Sequence, residues 1–513
     1  MYILYSSIIF SIQLTILLKK LKICIIATII MNQLTQMDLI SLIENLPIDL
    51  LYLVTNYDPL VIFHVDKFIK YDWFKLIRMN FSLRYQRDLC TNEEIMRVYL
   101  DHCSREKTTV IAGYYYTIIK LEDGTLMCCG RNQYGELGLG DQGDREIFNE
   151  IKGIDKNIVE MLDTQYGTII RLTDGTLMAC GYNNNGHLAM GAGIYIRQFS
   201  KIPNIPNNVV EIIVNSYYTI LKLSDGTLMS CGYNQFGQLG LGDTGNRGWF
   251  TKIRGIPKNI VEVISNCHRT IIRLDDGTLM GCGYNEYGQL GMEPCIQRNV
   301  FREIGGIPKN ITKVICGALH TIIVLTDGTL MTCGSNGYGQ LGLGDRVNRY
   351  SFEKIKGIDK NIVEVTCGEY HTMIRFGNGT LMVCGSSSWG ILGTEDNVLR
   401  DTFYEIKGIP KNIAKVISSH YNTVIILTDG TLMGCGRNGS GQLGLGDTVS
   451  RNSFVEIKGI PKNIAEVSFG FDHGIIKFKD GTFMGCGSNA HGQLGFGDRR
   501  DRWTFEKLNI TVR

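Results

Sequence analysis

The chain has almost no excess of charge. Its 52 Lys and Arg stand against 50 Asp and Glu for a formal net charge of +2, so nothing in the charge balance demands a nucleic-acid partner. It also lacks an unbroken apolar stretch of spanning length. Residues 1–30 are apolar, but Lys19, Lys20 and Lys22 interrupt them, and Ser6, Ser7, Ser11, Gln13 and Thr15 dilute the part before. No cationic region leads that stretch, so it reads as neither a secretion signal nor a full membrane span. Met31 is the expected true start, and a weak membrane anchor through residues 1–30 is the alternative. Helical periodicity is missing from about residue 107 to the C-terminus, which excludes a conventional catalytic α/β domain for most of the chain. No Ser-His-Asp or paired-carboxylate set can be located from spacing, and the chain reads as non-enzymatic.

What the chain does have is a beat. Asp123-Gly124, Asp174-Gly175, Asp225-Gly226, Asp276-Gly277, Asp327-Gly328, Asn378-Gly379, Asp429-Gly430 and Asp480-Gly481 follow one another at 51-residue spacing. In the fifth copy the β-rich runs His320–Leu325 and Leu330–Cys333 flank Asp327-Gly328, a dipeptide that tolerates the positive φ angles of a two-residue hairpin turn. A glycine-rich connection follows, then two more short apolar runs, giving four strands per unit. A single unit cannot bury both of its faces, so the copies must stack, and radial stacking closes them into a propeller. With 44% hydrophobic and 20% charged residues the chain has material for such a core.

Several columns of the repeat invite chemistry. Cys129, Cys180, Cys231, Cys282, Cys333, Cys384, Cys435 and Cys486 share one position, too far apart between neighbouring blades for disulfides. They read as buried thiols in a reducing compartment, which places the protein inside the cell, in the cytoplasm or nucleus. A methionine two residues before each cysteine (Met127 to Met484) raises a soft-metal site, but a pair repeated in every copy converges on no centre and reads as packing. No metal or cofactor is expected. The glycine loop, for example Gly237, Gly240 and Gly242, has no phosphate-loop lysine, and His320, His371 and His473 read as strand-end hydrogen-bonding groups.

Two columns look outward. Lys120, Arg171, Lys222, Arg273, Arg375 and Lys477 form a ring of cations broken by Val324 and Ile426, able to attract an acidic peptide or other anion. The residue after each Cys-Gly varies, and Tyr182, Tyr233 and Tyr284 on consecutive units make the expected contact patch for a target protein.

The G-x-x-H-T start (Cys316 to Thr321, Cys367 to Thr372), the D-G-T hairpin and the N-x-x-G-Q-L-G-L-G-D loop (Asn234 to Asp243, Asn336 to Asp345, Asn438 to Asp447) together resemble the regulator of chromosome condensation repeat. The resemblance covers about 400 residues, residues 107–513. It implies an all-β propeller of four-stranded blades, usually seven in that family; the eight copies here favour eight. A small α-helical segment, residues 31–103, precedes the propeller. Within it Asp58-Pro59 and the capping box Thr91-Asn-Glu-Glu94 mark helix starts. Leu46, Pro47, Leu50, Leu51, Leu60, Val65, Trp73 and Leu76 resemble the F-box. That likeness implies that Leu46, Pro47, Leu50, Leu51 and Trp73 dock on the Skp-type adaptor of a cullin ubiquitin ligase. The whole then reads as a substrate-recognition subunit, with guanine nucleotide exchange on a Ran-like small GTPase, the founding member's role, as the alternative. Against exchange stand the unbroken period, which leaves no room for the protruding insertion that activity uses, and the lack of a basic N-terminal tail. A light-sensing role, known in a plant branch, would need clustered tryptophans; only Trp73, Trp249, Trp389 and Trp503 exist.

Overall fold

The computed structural model describes residues 108–510 apart from His420 and, nearer the N-terminus, residues 72, 73, 75–77 and 95–96. These fall into two compact units. In the smaller one the Asp72 carboxylate caps a helical turn by accepting the Lys75 N–H at 3.2 Å. Trp73, Leu76, Ile77 and Ile95 are buried there, Trp73 at 1% exposure. Leu46, Pro47, Leu50 and Leu51 lie outside the described residues.

The larger unit is an eight-bladed propeller. Its first blade consists of β1 (Val110–Ala112), β2 (Tyr116–Lys120), β3 (Leu126–Gly130) and β4 (Arg145–Glu150), antiparallel and in chain order. Seven more sheets repeat that order, the last from Ile464–Phe469 to Arg502–Lys507. Each blade comes from one contiguous segment, so among the described residues no strand is exchanged between the two ends of the ring. First strands of successive blades touch around the axis, and fourth strands such as Arg349–Lys354 form the exposed rim.

The Asp-Gly turns differ from the two-residue hairpin expected of the dipeptide. Leu121 N–H donates to Thr125 O at 2.9 Å and Gly124 N–H to Leu121 O at 3.0 Å, leaving a three-residue loop in which only the glycine has a positive φ, +88°. The reason lies in the third letter of D-G-T. Asp123 accepts the Thr125 N–H at 2.9 Å and its hydroxyl at 2.8 Å, which holds the aspartate in an ordinary conformation and passes the left-handed one to glycine. Asn378-Gly379 closes in the same way, with Thr380 N–H on Asn378 Oδ1 at 2.9 Å.

The hydrophobic core lies between blades. Ile118, Leu126 and Leu137 of the first blade pack with Met161, Ile170, Cys180 and Phe199 of the second. The same arrangement joins Val110, Ile119, Met127 and Phe148 to Ile475, Phe483, Leu494 and Leu508 of the eighth, which closes the ring. Each glycine loop clasps the following blade. In the first loop Asn132 Oδ1 accepts the Leu137 N–H at 3.0 Å while its amide donates to Asp141 O at 3.0 Å. Gly138 there has a φ of +68°, and a Cβ would come within 2.5 Å of the Phe199 ring, so glycine is required twice over.

The cysteine column serves the same junctions. Cys129 Sγ–H and Thr117 Oγ1–H donate to Gln493 O at 3.3 and 2.7 Å, and Cys282 and Thr270 repeat the pattern on Gln238 O at 3.4 and 2.8 Å. Burial pushes these thiols well above the ordinary range, which keeps them as weak donors.

Candidate functional site

The propeller has two unlike faces. One carries the Asp-Gly turns and the segments leading into each following blade. Lysine–aspartate pairs bridge blades there: Lys156–Asp123 at 2.7 Å, Lys258–Asp225 and Lys309–Asp276 at 2.6 Å, Lys360–Asp327 at 2.8 Å. The lysine ammonium and the Thr125 donors hold Asp123 down at about 2.

The opposite face is aromatic. It gathers the hairpin tips between first and second strands and the loops leaving third strands. Tyr114 stacks on Phe471 of the eighth blade at 4.3 Å between ring centroids and on Tyr166 of the second at 5.0 Å. Tyr115 meets Tyr114 edge-on at 4.7 Å, and Tyr421 meets Phe471 edge-on at 5.7 Å. Two guanidinium groups cover this chain of rings: Arg131 lies 4.7 Å from the Tyr134 ring centre, and Arg437 lies 5.6 Å from that of Tyr421 while pairing with Asp472 at 2.8 Å. Burial, reinforced by neighbouring phenols, raises Tyr114 to about 12, so the hydroxyl is a neutral hydrogen-bonding group.

The structure brings the three anticipated tyrosines into this face. Tyr182 packs on Tyr134 at 5.2 Å and Tyr195 at 6.0 Å, Tyr233 on Tyr217 at 6.0 Å, and Tyr284 on Phe236 at 4.9 Å. All three are half-buried. They form two groups, Tyr182 with the first-blade rings, and Tyr233 and Tyr284 around Phe236 and His268.

The cation ring sits elsewhere, against the first strands near the turn face. Each head group crosses to the next blade: Lys120 Nζ donates to Ile158 O at 3.0 Å, Arg171 to Val209 O at 2.5 Å, Lys222 to Val261 O at 3.3 Å, and Arg273 to Ile311 O at 3.4 Å. Arg171 is 2% exposed. Strand register also fills the two gaps, because Lys313 lies opposite Val324 and Lys415 opposite Ile426. Every blade thus has one cation at this level, and Glu262 and Glu364 pair with Arg273 and Arg375 at 2.8 Å.

The histidine column is structural, as its scatter over different units implied. His320 Nε2 meets Thr372 Oγ1 at 3.0 Å, and that hydroxyl donates to Gln340 O at 2.8 Å. The imidazole must therefore donate from Nε2, which leaves Nδ1 bare and buried without a partner. Tyr218 and Arg269 fill the same slot, Arg269 donating to Gly317 O and His320 O at 2.8 and 2.7 Å. Among the described residues no group of three or more His, Cys, Asp or Glu is placed to hold a metal ion. No described helix is long and apolar enough to cross a membrane.

Sequence reasoning passed over the inner tips. Tyr115, Tyr166, Tyr217, Tyr370 and Tyr421 occupy one repeat position, just before the histidine slot, and a column-by-column reading for aromatics would have found them. It weighed Trp389 only as a light absorber, not as a contact residue; the residue has a φ of +62° and is 57% exposed in a loop where Ser387 and Ile391 replace the usual Asn and Gln.

Residues 276–324 and 327–375 match the regulator of chromosome condensation (RCC1) repeat, and residues 109–136, 311–340 and 464–493 match a second description of that repeat. The chain is 27% identical over 360 residues to the ultraviolet-B receptor UVR8 of Arabidopsis thaliana, covering 68% of this chain and 81% of that one. It is 30% identical over 357 residues to the probable E3 ubiquitin-protein ligase HERC4 of Homo sapiens, covering 65% of this chain but 32% of that protein. Among solved structures it resembles Prp20p of Saccharomyces cerevisiae, described with its binding to Gsp1p and histones, at a TM-score of 0.55 and 18% identity over 71% of this chain and 94% of that one. Yeast RCC1 (Prp20) bound to Kap60 gives 0.55 and 17% over 72% and 92%. These two likenesses concern the fold.

Proposed function

We propose that this eight-bladed ring of RCC1 repeats is a non-catalytic protein-interaction scaffold, the substrate-recognition subunit of a cullin-type ubiquitin ligase. The observation that carries the scaffold reading is the division of labour between columns. Cysteines, histidines, glycines and most of the cations are engaged in holding blades together, whereas the tyrosines and arginines of one face remain half-exposed on loops fixed by that framework. In this reading Tyr182, Tyr233 and Tyr284, with Tyr115 and Trp389, grip the target. Lys120, Arg171, Lys222 and Arg273 act on it only through the field of their ring, because their donors serve the next blade.

The ligase half rests on the F-box-like residues Leu46, Pro47, Leu50, Leu51 and Trp73, which would engage a Skp-type adaptor in the cytoplasm or nucleus. The names of the HERC4 relatives are compatible with ubiquitin chemistry, but this chain spans about a third of their length. Exchange on a Ran-like small GTPase is the alternative, supported by the fold it shares with Prp20p and weakened by the regular 51-residue period.

Affinity capture with the full chain tests both halves. A Leu50→Ala/Leu51→Ala variant is expected to lose the Skp-type adaptor and keep the target, and Tyr182→Ala/Tyr233→Ala the reverse. Faster GDP release from a small GTPase, with no adaptor recovered, would replace this reading by the exchange one.

A further inference from the structure

At the rim a cavity between the fifth and sixth blades and a second one beside the fifth blade's Asp-Gly turn, each of about 290 Å³, share the ridge Lys354 to Ile358. Apolar side chains line the outer cavity, Leu343 and Ile358 from the fifth blade and Met382 and Phe403 from the sixth, all half-buried. Three cations line it, Arg349, Lys354 and Lys356, and their charges are not equivalent. Arg349 faces two carboxylates, Asp345 at 2.5 Å and Glu353 at 2.8 Å, so that this cluster is held as an anion of its own, and Lys360 of the adjoining cavity is paired with Asp327 at 2.8 Å. Lys354 and Lys356, both exposed, form no ion pair among the described residues. Two ammonium groups without an ion pair among the described residues therefore flank a slot with an apolar floor and polar walls, Glu353 among them.

The repeat does not require this. The two lysine positions are Glu150 and Lys152 in the first blade, Lys201 and Pro203 in the second, Glu303 and Gly305 in the fourth, Glu405 and Lys407 in the sixth. Only the third blade, with Lys252 and Arg254, also has a cation at both. A residue that varies between copies while the strand it sits on does not is free of the packing duties that dictate the other columns.

We propose that the groove binds a phosphoryl group carried on an aromatic or other apolar stem, the stem on Leu343, Met382 and Phe403 and the dianion between Lys354 and Lys356, with the Thr402 hydroxyl lining the same slot. A compact anion alone would leave the floor wet, and an apolar group alone would leave the two charges unanswered. The inference is independent of the aromatic face and of the ligase reading.

Titration of the full chain with phenyl phosphate, followed by calorimetry, tests it. Saturable binding is expected, with inorganic phosphate and phenol each weaker by about tenfold or more because each supplies half of the complement. Lys354→Gln/Lys356→Gln should lower the affinity by at least about tenfold, Lys354→Arg/Lys356→Arg should retain it, and Lys407→Gln in the next blade should leave it unchanged. A phosphotyrosine peptide that binds tighter than phenyl phosphate supports the site and assigns it to a phosphorylated protein; equal or weaker binding supports it and assigns a small molecule. No saturation by phenyl phosphate, or an equal loss in Lys407→Gln, overturns the proposal.

Discussion

Seven junctions of the ring are spanned by a short stretch of chain, such as Ile151 to Asn157, and the eighth, between the last blade and the first, is not. Joining the ends of a loop of about 400 residues costs on the order of 5 kcal/mol in chain entropy, which the linked junctions largely avoid. The two kinds of junction share the same apolar packing and the same Thr and Cys bonds to a carbonyl. They differ in one carboxylate. Within the linked blades Glu262 and Glu364 turn to their own arginines. Glu466, at the same repeat position, instead accepts Thr109 N–H at 3.0 and 3.1 Å, Thr109 Oγ1–H at 2.6 Å and Val110 N–H at 3.3 Å in the first blade. Thr109 stands where other blades have Glu or Lys, and Lys477 crosses to its hydroxyl at 3.0 Å. Outside, Arg499 pairs with Glu146 at 2.7 Å, whereas the bond from Gly497 N–H to Glu146 O at 2.7 Å repeats one found at linked junctions, such as Gly140 N–H to Arg197 O at 2.8 Å. Where the chain does not hold two blades together, charged side chains clamp the backbone itself.

The sharpest way to break this contrast is Glu466→Ala, which leaves two backbone N–H groups unanswered. About 3 kcal/mol of stability should be lost, against about 1 kcal/mol for Glu364→Ala, read from urea midpoints. Equal losses would mean that the closing junction has no special clamp.

Acid should act next. Burial lowers His371 and His473 to about 4 and His320 to about 3, because the protonated imidazole would carry its charge in the interior away from water. The unfolded chain takes up these protons below about pH 6.5. Stability is therefore fully present above that pH and declines as pH falls toward 4. His473→Asn, which copies Asn422 of the seventh blade, should remove about 2 kcal/mol of the difference between pH 7 and pH 4. A midpoint-versus-pH curve that keeps its slope in this variant would rule out His473 as a contributor.

Thr117→Val at the closing junction and Thr372→Val at a linked one should each cost about 1 kcal/mol, since both delete a hydroxyl between a histidine and a carbonyl. A much larger loss at Thr117 would show that the closing junction is the first to open. The smallest effect is expected from Arg499→Ala, an exposed pair whose removal should not resolve in a thermal melt.

The blade count was legible because the D-G-T turn, with Asn378 for Asp in the sixth copy, recurs at every 51st residue, and the cysteine column because its period matches. The turn itself was misjudged by one residue, since the dipeptide does not reveal that Asp123 bonds to Thr125 and so needs no left-handed angle. The cation ring looked broken because periodicity follows one strand at a time, and Lys313 and Lys415 fill the gaps from the neighbouring strand. Tyr182, Tyr233 and Tyr284 were noticed as loop tips, but their partners come from other columns: Tyr195 and Tyr217 from elsewhere in the same blade, Tyr134 and Phe236 across a blade boundary.

Local rules acting within a few residues, namely alternation, turn chemistry and a strict period, were enough to specify strands, blades and their number. The direction of each side chain across a junction was decided by the closed ring. Whether a carboxylate faces an arginine of its own blade or a backbone far away in the chain depends on which surfaces the last blade meets, and that meeting is set by the geometry of closure.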